Sequence, residues 1–325
     1  MEVRPPELPV ELFYGILLQG ARDFIQHSRA SVVQLALVSR EAYQLIRPIL
    51  YDRLIVTKEN EKLFTQPEVF DALLAHVRYM HIVDEEVSID IGHELLQRWN
   101  PPPGSTCFLD ASLHFTIKYI SEHPDTPLNG VRIINMSFSR AVFAGPDGQR
   151  LPRAFLRNLT HLAGHLPADL AHMDGEWELE FLAETPALTH LALQVVDYEG
   201  FDSFDEVRLF SYGTALITRA LLKHSTLKCL CLRMAGTLTC DTTISVFQDL
   251  VKELQDMRLK VWFDTRHGEH GNIFSWHDSE QRWNKIELQL EVHDSFAGYD
   301  IWMPEERPST EGQVICYSPS SSVTI

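Results

Sequence analysis

The chain has 325 residues, is 45% hydrophobic and 22% charged, and carries a formal net charge of −17. That length can bury a large core, as one elongated domain or two compact ones, and that charge excludes a general role in holding phosphate polyanions, so no nucleic-acid partner is expected. The acidity is uneven: residues 1–58 carry a net +1 and the remainder −18, which points to two modules with different surfaces.

Pro9 suits a first helical turn, and Leu8, Leu12, Ile16 and Leu17 then recur at helical spacing, with Glu11 complementing the helix dipole and Gly20 expected as the stop. Ser31 and Gln34 have capping-box spacing for a second helix. Its residues Val32, Val33, Leu35, Ala36, Leu37 and Val38 are apolar nearly all round, so it is expected to be buried. Ser39 can cap a third helix carrying Ala42, Leu45, Ile46, Ile49 and Leu50, in which Pro48 predicts a kink or restart. Three helices in about fifty residues make a small core, which ordinarily leans on a partner or on a following domain.

LPVELFYGIL (Leu8–Leu17) followed by LALVSREAYQLIRPILY (Leu35–Tyr51) resembles an F-box, matching the family pattern at Leu8, Pro9, Glu11, Leu12, Ile16, Leu17, Leu37, Val38, Ser39, Arg40, Pro48, Leu50 and Tyr51. Two features depart from that pattern. Ala42 and Tyr43 stand where a Trp is frequent, and the connection QGARDFIQHSRASVV is longer than usual. The resemblance implies docking to the small Skp-type adaptor of a cullin–RING ubiquitin ligase. Leu8, Pro9, Leu12, Ile16, Leu17, Leu37, Val38, Pro48 and Leu50 would then supply packing and contact surface.

Leu54-Ile55-Val56 predicts a strand directly after this segment. From residue 77 a loose L-x-x-L-x-L unit recurs: Val77-Met80-Ile82, Val131-Ile134-Met136, Leu159-Leu162-Gly164, Leu188-Leu191-Leu193, Leu227-Leu230-Leu232 and Leu259-Trp262-Asp264. The starts are 54, 28, 29, 39 and 32 residues apart, so the first gap holds an insertion or an unrecognised copy. Helical patterns precede most copies, at Pro67–His76, Leu113–Glu122, Gly213–His224 and Ile244–Asp256. Strand and helix alternating at about thirty residues predict a leucine-rich solenoid, a form F-box proteins commonly carry. The fold expected is therefore α/β: a short three-helix F-box-like segment (1–52), an irregular leucine-rich repeat domain with a parallel sheet (53–303) and a disordered tail (304–325). Arg282–Asp294 alternates as a strand, and the His-, Gly- and Asp-rich stretch Trp262–Trp283 reads mostly as loop.

In each L-x-x-L-x-L the residues between the leucines should line the concave face, where solenoids bind targets. They are Tyr79, His81, Ile133, Asn135, His161, His190, Cys229, Cys231 and Phe263, with Ala163, Ala192 and Val261 beside them. Such an uncharged, aromatic and imidazole-rich surface suits a protein target.

No G-x-S-x-G, P-loop, G-x-G-x-x-G or H-E-x-x-H occurs, so no enzyme activity and no cofactor is expected. His161, His190, Cys229 and Cys231 could form a zinc set, but buried thiols are common and a closed tetrahedron is demanding. His267, His270 and His277, with Asp264 and Asp278, read as a solvated loop, and no metal is expected there either. The five cysteines, Cys107, Cys229, Cys231, Cys240 and Cys316, are odd in number and sparse, and MEVRPPELP suits no targeting signal. These features, with no apolar run near the ~20 residues of a bilayer span, point to reduced thiols in the cytoplasm or nucleus and to no membrane partner. The function expected is that of a ubiquitin-ligase adaptor, reaching a cullin through the Skp-type adaptor and holding an unknown target protein. A stand-alone repeat scaffold and a metal-dependent hydrolase are the alternatives.

Overall fold

The computed structural model describes residues 9–25, 28–65, 71, 73–82, 87–99, 107–111, 113–122, 128–137, 152–167, 183–196, 204–235, 238, 240–265, 310, 312–319 and 321–324. They divide into two units, with the boundary between residues 105 and 106. Both combine helices with parallel strands, an α/β fold with eight α-helices and ten strands among the described residues.

The first unit opens with α1 (Val10–Ile25), α2 (Arg29–Ala36) and α3 (Arg40–Leu50). Ala21, Val32, Ala36, Ile46 and Leu50 form their shared core, with Ile25, Leu35, Ile49 and Tyr51 packed around it. Gly20 does not stop α1. The helix runs through it because Ala21 and Ile25 continue the core-facing series, and a Cβ at Gly20 would meet only Leu35 Cδ1, at 3.7 Å. The extra length between the F-box-like halves is largely this last stretch of α1. The cap of α2 is Ser28 rather than Ser31: Ser28 Oγ accepts from Ser31 N at 3.3 Å. Ser39 caps α3 as expected, accepting from Ala42 N at 3.0 Å. Pro48 lies inside α3 without ending it, since Ile46 and Leu50 on either side are both anchored in the core.

β1 (Arg53–Val56) follows, a 3-10 turn spans Glu61–Thr65, and β2 (Tyr79–Ile82) pairs in parallel with β1. The amides of Arg78 and Tyr79 both donate to the Asp52 carbonyl. The alternate carbonyls of β1 are met by side chains: Arg29 Nη2 donates to Arg53 O at 3.1 Å and Asn60 Nδ2 to Ile55 O at 2.8 Å. Arg29 also donates to Leu50 O at 2.5 Å, tying α2 to the end of α3. These bonds explain why β1 and β2 fall in one unit with the helices, where the sequence suggested a break after residue 52. α4 (Ile89–Arg98) follows, its first turn met by Glu61 Oε2, which accepts from Ser88 N at 2.9 Å.

The second unit runs β3 (Cys107–Ala111), α5 (Leu113–Glu122), β4 (Leu128–Ser137), α6 (Arg153–Asn158), β5 (His161–Pro167), β6 (His190–Val196), α7 (Phe204–Leu221), β7 (Cys229–Met234), α8 (Asp241–Leu254), β8 (Leu259–Asp264), β9 (Gly312–Ser318) and β10 (Ser321–Thr324). Its strands are neighbours in chain order, parallel from β3 to β8 and antiparallel from β8 through β10. Each of the six repeat copies sits at a strand, and β3, which retains only Leu109 of the pattern, is an unrecognised copy inside the long first gap. The register places Leu162, Leu191, Leu230 and Leu259 in one row and Leu193, Leu232 and Val261 in the next, all fully buried.

Three sequence expectations change here. α7 begins at Phe204, nine residues before the predicted start at Gly213. Leu259 takes the second place of its repeat, not the first, so Val261 and Phe263 lie on the leucine side of the sheet, where Phe263 meets Phe247 of α8 edge-on at 6.4 Å. Residues 312–318 and 321–324 are strands, not tail. Only Ile315 of β9 is buried, too little to register as periodicity, but β8 offers an open edge. Gly312 opens the pairing at φ 151°, where any Cβ would collide with the Phe263 carbonyl. No helix among the described residues is long and apolar enough to cross a membrane. Pro67–His76 lies partly, and Arg282–Asp294 wholly, outside the described residues.

Candidate functional site

Two surfaces emerge, one in each unit. On the helical unit, α1 buries Leu17 and Ala21 and leaves Leu12, Phe13, Ile16 and Phe24 exposed. Leu12, Ile16, Leu37 and Val38 are exposed by 57, 63, 77 and 57%. Val10, Val33, Tyr43 and Leu45 add to this surface. Of the 16 exposed large hydrophobics among the described residues, 10 lie between Val10 and Leu45, so this is where uncovered apolar area concentrates.

α2 is thus not buried all round, as its composition suggested. Only Val32 and Ala36 are buried, with Leu35 packed partly against the core, because two neighbouring helices can cover only one side of an eight-residue helix. Among the predicted docking residues, Leu12, Ile16, Leu37, Val38, Pro9 and Pro48 are exposed. Leu17 and Leu50 are spent on the unit's own core, and Leu8 lies outside the described residues. Phe13, Phe24, Val33, Tyr43 and Leu45 were missed. Ala42, at the frequent Trp position, is fully buried, and Tyr43 beside it is partly exposed.

The second surface is the sheet face opposite the leucines. His161, His190 and Cys229 share one register row, Ala163, Ala192 and Cys231 the next, and Gln194 and Arg233 the third. The His161 and His190 rings stack at 4.2 Å, within 3° of parallel, and Phe108 of β3 meets His161 edge-on at 5.4 Å. Phe108 reaches across β4 because Gly130, with no side chain, stands between them in register. Thr189 Oγ1 donates to the Thr160 carbonyl at 3.0 Å, so it must accept from His190 Nδ1–H at 2.9 Å, which fixes that tautomer. Thr160 Oγ1 contacts His161 Nδ1 at 2.8 Å. Burial, reinforced by the neighbouring His190, holds the His161 pKa down at about 4.

At the C-terminal ends of the strands, Arg233 donates Nε–H and Nη2–H to Asp264 Oδ2 at 2.9 and 2.7 Å and Nη1–H to Gln194 Oε1 at 3.0 Å. Its guanidinium lies 5.0 Å from the Trp262 ring centroid. Lys260, Trp262 and Asp264 belong to this face by register, which the three-residue misreading of the last repeat concealed.

The predicted target contacts therefore separate. His161 and His190 are half-buried and stand together. Tyr79, in the first unit, is half-buried under the Arg53 guanidinium, 5.1 Å from its ring centroid. His81, Cys229, Cys231 and Phe263 are buried and cannot contact a target directly. Ala163, Ala192 and Val261 are buried too. Ile133 is in step with Ala111 of β3, not with the His161 series, and the side chains of Ile133 and Asn135 lie outside the described residues. Two rings stacked face to face have parallel nitrogen lone pairs, which cannot converge on one ion, and no group of three metal-ligating side chains occurs among the described residues. His267, His270, His277 and Asp278 lie outside them. The five thiols form no disulfide with one another. No protein-family model and no curated protein sequence matches the chain.

Proposed function

We propose that this chain is the substrate-recognition adaptor of a Skp–cullin–F-box type ubiquitin ligase. In this reading α1–α3 dock a Skp-type adaptor, and through it a cullin, while the later strands and helices form a leucine-rich solenoid that holds a target protein. The observation that carries the reading is the exposed apolar surface around Leu12, Ile16, Leu37 and Val38, on the segment that resembles an F-box. A helical unit that closes its own core and still leaves this much apolar side chain in water is built for a partner. The half-buried His161–His190 ladder would contribute to target contact. The mechanism is proximity: the target's lysines are held near ubiquitin carried by another subunit, and no residue here does chemistry.

Co-expression with a Skp-type adaptor tests this. A one-to-one complex is expected in size-exclusion chromatography, and Leu12→Asp with Ile16→Asp should weaken it about thirtyfold or more while leaving the circular dichroism unchanged. No complex with the unaltered chain, or an undiminished complex with the double variant, would defeat the assignment.

A further inference from the structure

We draw no further inference here: the strongest candidate, the outer face of α7 with the exposed side chains of Leu209, Tyr212 and Leu216, is an unpartnered apolar helix face, and nothing in the structure shows what covers it.

Discussion

Replacing Arg233 by Met, which keeps most of the side-chain volume, removes two charged hydrogen bonds to a fully buried Asp264, a third to Gln194 and a cation above Trp262. Breaking a buried ion pair from one side typically costs about 3–5 kcal/mol, because the remaining charge keeps its desolvation penalty. The cation–π contact is worth about 0.5–2 kcal/mol, but these contributions overlap and do not sum. The expected loss is therefore about 4 kcal/mol, felt in β6, β7 and β8. Asp264→Leu alone should cost a similar amount, and the Arg233→Met, Asp264→Leu double variant clearly less than the two together, with a coupling of about 2 kcal/mol or more. Amide hydrogen exchange is the appropriate assay: it reads the local opening of β6–β8 without requiring the two units to unfold in one step. A loss below about 1 kcal/mol for Arg233→Met, or strictly additive single variants, would refute the view that this pair clamps the C-terminal ends of the strands.

Other consequences can be measured in the same way. Because the folded His161 pKa is depressed to about 4, the unfolded chain binds the proton first as pH falls below about 6.5. Stability is then unaffected above that pH, declines between about 6.5 and 4 and levels off below, by at most about 3 kcal/mol from this residue; His161→Asn should flatten that part of the urea-midpoint profile. Arg258 donates from Nη2 to Leu222 O at 2.7 Å and from Nη1 to His224 O and Leu227 O at 3.2 and 3.3 Å, so Arg258→Met should cost about 2–3 kcal/mol and lower the thermal midpoint. Gly20→Ala should stabilise α1 by up to about 1 kcal/mol by circular dichroism melting, since the added methyl meets Leu35 only at 3.7 Å; a loss of stability would mean that Gly20 serves as a helix stop after all.

Much of the architecture was legible in the residue pattern because it is set by local periodicity. Strands coincide with every L-x-x-L-x-L copy, the predicted bounds of α5 match the structure, and Ser39 caps α3. The errors arise where local pattern and tertiary pairing compete. Leu259 fits either the first or the second position of its repeat, and only pairing with Leu230 decides that Phe263 faces the core and Trp262 does not. Gly20 reads as a helix end in isolation, yet Leu35 and the continuing core keep it helical. β9 has a single buried side chain and no sequence signature, and it forms because β8 has an edge to be paired.

The candidate surfaces divide along the same line. Composition and spacing identified the apolar helices and the alternating strands, since burying apolar area at helical or strand period is a property each segment carries by itself. Which side of each element stays in water is not such a property. Leu17 and Leu50 are enclosed while Leu12 and Leu37 are exposed, and Cys229 is buried beside a half-exposed His190, because exposure depends on which neighbours the folded chain places over each residue.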